Sequence, residues 1–270
     1  MSRLSATRRV AACLLAAASV VCSTELRAQS VIVCWGDSIL AGFNSSGNTT
    51  TPTGPAPFGD PIPGAHRWDA VQQGWIDVTP FQNHFGTSAD PIYGLAAGWR
   101  RFHGGDIYIV SLAVSGSDAT PLHPNPLASW HPSVPGGAFE RLATEYLSPA
   151  LATLAQPDIR AVCFAAGNNY LLPTFDSDIN TINSALSTFV PWSTPRYLAI
   201  KTYLGTANDA QTLVQRQAID QWAATSSRRH AVETVSIPAR TGGLVDGFHL
   251  SHYGSIFLGF WAAVTEYFHL

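Results

Sequence analysis

Apolar and polar positions along this chain follow two different periods. Largely apolar runs of strand length occur at residues 31–35, 106–113, 161–165, 196–201 and 231–237, with charge confined to Asp106, Arg196, Lys201 and Glu233. They are rich in β-branched residues, as strands buried on both faces are. Between them lie stretches with helical spacing at 91–102, 138–155, 176–190, 209–225 and 255–268. The second carries Leu142, Tyr146, Leu147, Leu151 and Leu154 on one stripe, and the fourth carries Leu213, Ala218, Ile219 and Trp222. Residues 67–79 read as two short strands around Gln72-Gln73-Gly74, an outlying hairpin. Residues 43–64 and 121–137 are long loops rich in proline and small polar residues. Strands alternating with helices imply βαβ units. The expected fold is α/β, a three-layer α/β/α sandwich around a central parallel sheet, in one domain over 29–270. No internal repeat interrupts it.

The chemistry enters where the first strand ends. Gly36 stops the apolar run, and Asp37-Ser38 follows at the handover to a turn or helix. A serine there stands at the carboxyl end of the sheet, where open α/β folds place their ligands. Its N–H joins the free donors of a helix start, which suit a developing oxyanion. Near the other end of the chain, Asp246 and His249 lie three residues apart in a short loop before the last helix. That spacing lets the carboxylate orient one ring nitrogen while the other serves as base to a serine. His252 shares the loop but has no acid three residues upstream, so it is the weaker candidate base. Together the two stretches form a serine-hydrolase set in the order Ser38, Asp246, His249. No Gly-x-Ser-x-Gly elbow occurs in the chain.

These motifs resemble the SGNH, or GDSL, hydrolase superfamily. Gly36-Asp37-Ser38 resembles its first block and Asp246-Gly247-Phe248-His249 its last. Ser115-Gly116-Ser117, after the second strand, resembles its glycine block. The asparagine block is represented by Ala166-Gly167-Asn168-Asn169-Tyr170, where the superfamily usually shows Gly-x-Asn-Asp. Alignment on strand length makes Asn168 the oxyanion residue, and alignment on Gly167 makes it Asn169. The resemblance implies a flavodoxin-like sandwich with Ser38, Asp246 and His249 catalytic. It implies an oxyanion hole built from the N–H groups of Ser38 and Gly116 and the side chain of Asn168, with Asn169 the alternative.

Within the superfamily, the chain is most similar to the carbohydrate O-acetylesterases, the sialate and acetylxylan esterase branches. The shared features are Trp68 and Trp75 in an early hairpin, the block Ala113-Val-Ser-Gly-Ser-Asp118, and a downstream Trp130. Those enzymes often carry Gln-Ser in the first block and Gly-Glu-Ser-Asp in the third, and this chain has neither. Trp130 is expected to offer a flat face to substrate. Asp37 reads as a structural residue that bonds turn amides rather than as a catalyst, and with Trp130 it is a candidate for the substrate-binding wall.

Composition narrows the setting. Residues 1–9 hold three arginines, 10–21 are apolar, and Ala28 is a small residue suited to cleavage. Residues 1–28 are therefore expected to be a secretory signal peptide, too short for a membrane span. Removing them takes four arginines and one glutamate from a chain of net charge −3 and leaves −6. Such an acidic chain, with no basic cluster beyond Arg100-Arg101 and Arg228-Arg229, makes nucleic acid an unexpected partner. Cys34 and Cys163 lie inside apolar strands and read as small hydrophobes, with a disulfide open to them if the strands are neighbours. No metal spacing exists, and no cofactor is called for. The expected activity is a secreted or periplasmic serine esterase removing short acyl groups, chiefly acetyl, from a carbohydrate. The alternatives are a lipase, thioesterase or arylesterase on the same scaffold, or a glycan-binding protein that has kept the scaffold without turnover.

Overall fold

The structure is a computed structural model. It describes residues 28–41, 60–80, 91–167, 169, 173–202, 209–234, 237, 249–250 and 252–269. Seven strands form one sheet: β1 (Gln29–Gly36), β2 (Ala65–Asp69), β3 (Gly74–Asp77), β4 (Ile107–Ala113), β5 (Pro157–Ala165), β6 (Arg196–Ile200) and β7 (Arg229–Val232). Their order is β3-β2-β4-β1-β5-β6-β7. Every neighbouring pair is parallel except β2 with β3. Leaving out the hairpin, the chain-order sequence of strands is 2-1-3-4-5, the flavodoxin-like arrangement. Its topological switch lies between β1 and β5, so a ligand site is expected where those two strands end.

Alternation along β1 decides what each face packs. Ile32 and Cys34 enter one core, with Ile92 and Leu95 of α2 (Pro91–His103) and Ile256 and Leu258 of α7 (His252–Phe268). Val31, Val33 and Trp35 enter the other. That second core is closed by α3 (Ala138–Arg141), a π-helical segment (Leu142–Leu147), α4 (Ser148–Ala152), α5 (Phe175–Ser187) and α6 (Asp209–Ala223). The short α1 (Ser38–Ala41) follows β1 directly. Three layers result because successive side chains of a strand point to opposite faces and both faces here are apolar.

Two elements differ from expectation for identifiable reasons. The stretch expected as one regular helix passes through a π turn between α3 and α4. Leu142 and Leu147 are both fully buried. Five positions apart on a regular helix they would point about 140° apart, and the wider π turn brings both to the core. The hairpin is not outlying: β2 pairs with β4 from Ala65↔Ile107 to Arg67↔Ile109 and extends the sheet. Trp68 is buried, with its ring 5.3 Å from Trp75, and Trp75 meets Tyr108 of β4 at 5.0 Å. Aromatic packing against β4 therefore holds the ribbon in place.

Helices α2 and α7 lie side by side with their backbones in contact. A Cβ on Gly94 would fall on the Ile256 carbonyl, and one on Gly259 would fall on the Pro91 carbonyl. Only glycine permits this approach. The contact bears on the candidate site because α7 begins three residues after His249.

Cys34 and Cys163 face each other in register across β1 and β5, both buried and not disulfide-bonded. Among the described residues no helix is long and apolar enough to cross a membrane.

Candidate active site

The site forms where β1, β4 and β5 end. Ser38 is the first residue of α1 and is buried, 7% exposed. His249 enters from the far end of the chain, 211 positions away, and its Nε2 lies 3.0 Å from Ser38 Oγ. That is within reach for direct proton transfer between hydroxyl and imidazole. Asp246 lies outside the described residues, as does Asn168. His252 opens α7.

Asp37 holds the turn that presents Ser38. Its N–H donates to the Ala165 carbonyl at 3.1 Å, and its Oδ1 accepts from Ile39 N at 2.9 Å. It is wholly buried, which corrects the expectation of a place beside the substrate. Its carboxylate serves backbone amides at the start of α1, where a negative charge is favourable.

The loop after β4 is tied to both flanking strand ends. Gly116 has φ +74°, a left-handed conformation that glycine adopts without strain, and the space beside its α-carbon is open. His123 Nε2 donates to the Gly116 carbonyl at 2.8 Å, which fixes the orientation of that peptide. Ser117 Oγ donates to the Gly36 carbonyl at 3.1 Å. Asn169, after β5, donates from Nδ2 to the Ser117 carbonyl at 3.0 Å. Asp118 is buried, and its Oδ1 accepts from Gly167 N at 2.9 Å and Ala119 N at 2.7 Å. The loop with Gly116 and the loop with Asn168 and Asn169 are thus one hydrogen-bonded unit. Sequence reasoning did not assign roles to Ser117 and Asp118. The signal was available, since both are polar residues directly beside the Gly116 block.

Trp130 requires a correction. It is fully buried, its ring 5.3 Å from Trp35, and its Nε1 donates to Ser117 Oγ at 2.8 Å. Trp35 in turn stacks on Phe164 at 4.9 Å. The loop turns back on itself where Trp130 N donates to the Asp118 carbonyl at 2.9 Å, and this carries the indole inward. Trp130 therefore supports the floor of the site and presents no face to a ligand.

A second polar group lies beyond the ends of β6 and β7. Lys201 and Arg216 are both buried and both bind Glu233, Lys201 through Nζ to Oε2 at 3.1 Å. Lys201 Nζ also reaches Asp220 Oδ1 at 2.7 Å. Gln215 accepts from Thr202 N at 3.1 Å and donates to the Ala166 carbonyl at 2.8 Å. Its side chain links the loop after β6 to the residue preceding Gly167. This group also ends β7 at Val232, short of the expected residue 237. Thr234 turns away from the ladder and donates through Oγ1 to the Lys201 carbonyl at 2.7 Å. Among the described residues no group of three or more His, Cys, Asp or Glu is placed to hold a metal ion.

No protein-family model matches the chain, and no curated protein does. Solved structures do. A protein of Arabidopsis thaliana superimposes with a TM-score of 0.63 at 14% identity, over 89% of this chain and 98% of its own. The structure named NanS superimposes at 0.55 with 12% identity, over 89% and 97%. A carbohydrate acetylesterase from Xanthomonas citri gives 0.48 at 14% identity, over 72% of this chain and 47% of its own. The first two carry the conclusion: the chain has the three-layer α/β/α fold of the SGNH (GDSL) hydrolases.

Proposed function

We propose that this chain is a secreted serine esterase that removes short acyl groups, chiefly acetyl, from a carbohydrate. The observation that carries the reading is the 3.0 Å approach of His249 Nε2 to Ser38 Oγ at the carboxyl end of β1. In this reading Ser38 Oγ attacks the ester carbonyl while His249 takes its proton. The tetrahedral intermediate collapses as His249 returns that proton to the leaving sugar hydroxyl. Water, deprotonated by the same ring, then releases the acyl group as a carboxylic acid. Asp246 would hold the His249 ring in the tautomer that leaves Nε2 free to accept.

The oxyanion would be met by the N–H groups of Ser38 and Gly116 and by an asparagine amide. Asn169 is engaged with the Ser117 carbonyl, which favours Asn168 for that contact and makes Asn169 the brace. The acetyl and carbohydrate preference rests on the resemblance of the sequence blocks. Secretion rests on residues 1–28 acting as a signal peptide, which sequencing the amino terminus of the exported protein would check.

The test is hydrolysis of p-nitrophenyl esters from acetate to octanoate by the mature protein and by Ser38→Ala. Turnover should be fastest on acetate and fall about 10⁴-fold or more in the variant, with its melting temperature preserved. A preference for octanoate would move the reading to a lipase. Activity that persists in Ser38→Ala would end the serine mechanism.

A further inference from the structure

The opposite end of the sheet carries a second cleft. It encloses about 470 Å³, within the ordinary range for small-ligand sites. It is lined by Arg160 of β5, Arg196 at the start of β6 and Arg228 just before β7, which converge from three adjacent strands. Ser30, near the start of β1, lies in the same wall. The eight residues of β1 set this cleft roughly 25 Å from Ser38, at about 3.3 Å per residue.

The cations in the cleft exceed the acids that face them. Glu266 forms part of the lining and is buried at 3% exposure. Its Oε2 lies 2.6 Å from His103 Nε2 and its Oε1 lies 3.5 Å from Arg196 Nε. Arg160 Nε lies 2.9 Å from Asp158 Oδ2, in a side chain 56% exposed. Arg228 is exposed, and its guanidinium has no ion-pair partner among the described residues. In a chain of net charge −3, three guanidinium groups around one cleft oppose the overall field. Guanidinium forks match planar and tetrahedral oxyanions, binding them through paired N–H donors.

A second feature marks the class of ligand. Trp192 is 66% exposed, whereas Trp35, Trp130 and Trp222 are fully buried. It stands two residues before the lining residue Thr194, and its Nε1 donates to the Pro157 carbonyl at 3.2 Å, at the start of the strand that carries Arg160. Ser193 Oγ donates to Asp158 Oδ1 at 2.8 Å, which keeps the segment close to β5. An exposed indole two residues along the chain from the lining, with guanidinium forks in the lining itself, suits a ring with one apolar face and a carboxylate.

We infer that this cleft is a non-catalytic binding site for an acidic sugar, a uronate-type ring whose carboxylate is held by Arg160 and Arg228 and whose face meets Trp192 at the rim, Arg196 being engaged by Glu266 and by the His269 carbonyl. The site needs no ester chemistry, so its test is separate from the test of Ser38.

Isothermal titration of the mature protein with galacturonate, tri-galacturonate, galactose and inorganic phosphate tests it. Both galacturonates should bind, galactose should not, and added salt should weaken binding. Binding should fall about tenfold or more in Arg160→Ala and in Arg228→Ala. These positions are exposed and far from Ser38, so p-nitrophenyl acetate turnover should be unchanged in both. Trp192→Ala should weaken galacturonate while leaving phosphate binding as it was. Stronger binding of tri-galacturonate than of galacturonate would place the sugar in a polymer, and equal binding would make it a free acid. Phosphate binding with no galacturonate binding, no binding of any probe at millimolar concentration, or binding that survives Arg160→Ala/Arg228→Ala would each overturn the proposal.

Discussion

The two ends of the central sheet are built from opposite materials. At the carboxyl end, around Ser38, positions are fixed by short hydrogen bonds from backbone amides to Asp37 and Asp118 and from Ser117 and Asn169 to backbone carbonyls, all buried or half-buried. At the amino end, side chains are long, charged and partly solvated: Arg160, Arg196, Arg228 and His103 around Glu266. A site that must hold reacting atoms to fractions of an ångström needs short connections and backbone partners. A site that captures an anion needs charge and reach, and tolerates mobility in the side chains that supply them. Parallel pairing makes the separation automatic, since it gathers all like strand ends together.

Helices α2 and α7 run past both regions, so the largest expected effect falls on both together. His103 ends α2 and Glu266 lies in the last turn of α7, while the other end of α7 follows closely on His249. The Gly94 and Gly259 contacts hold the two helices together. Gly94→Ala places a methyl on the Ile256 carbonyl, which cannot retreat without separating the helices. The expected cost is about 4 kcal/mol, in the upper tail for overpacking. Urea denaturation should show the loss, and turnover and anion binding should fall together. A change that spared one end would mean the helices do not couple the two regions.

The loops proposed to supply the oxyanion donors give an effect confined to the carboxyl end. Asn168→Ala should lower kcat about 10²-fold, or about 2.7 kcal/mol of barrier, with KM and melting temperature nearly unchanged. Asn169→Ala should cost less in kcat and more in stability, because its amide braces the Ser117 carbonyl. Steady-state kinetics alongside thermal melts separate the two roles. The reverse ranking would exchange them.

Much of this was legible in the sequence because the sheet is written in short, largely apolar runs. The strands at β1, β4, β5 and β6 and the helices α2, α5, α6 and α7 lie close to where periodicity puts them. So does Ser38, since a Gly-Asp-Ser stop after a buried strand admits few placements. Periodicity does not encode how elements dock. That is why the hairpin joined the sheet through aromatic contacts with Tyr108, and why a π turn replaced a regular one at Leu142–Leu147. Trp130 was misplaced for a related reason. A tryptophan between proline and histidine looks exposed, and only the Asp118–Trp130 backbone bond reveals that the loop folds inward. The amino-end cleft was invisible because its arginines are scattered over 69 positions, from Arg160 to Arg228, and meet only through strand order.

The smallest effect concerns pH and belongs to the amino end. His230, in β7, is buried and stacks on His269 with ring centroids 4.6 Å apart. Burial chiefly, with the neighbouring charges of His269 and Arg196, holds its pKa below the ordinary 6.5, and Glu266 opposes them. The folded protein thus resists a proton that the unfolded chain accepts. Stability from this residue is complete above about pH 6.5 and declines as pH falls below that value toward the lowered folded pKa. His230→Phe keeps the stacked ring and removes the titration, so its melting temperature should fall less between pH 7 and pH 5 than that of the parent. All other titrating groups are common to both proteins, so the difference between the two curves isolates His230. Parallel curves would show that His230 takes up its proton in the folded state as readily as in the unfolded chain.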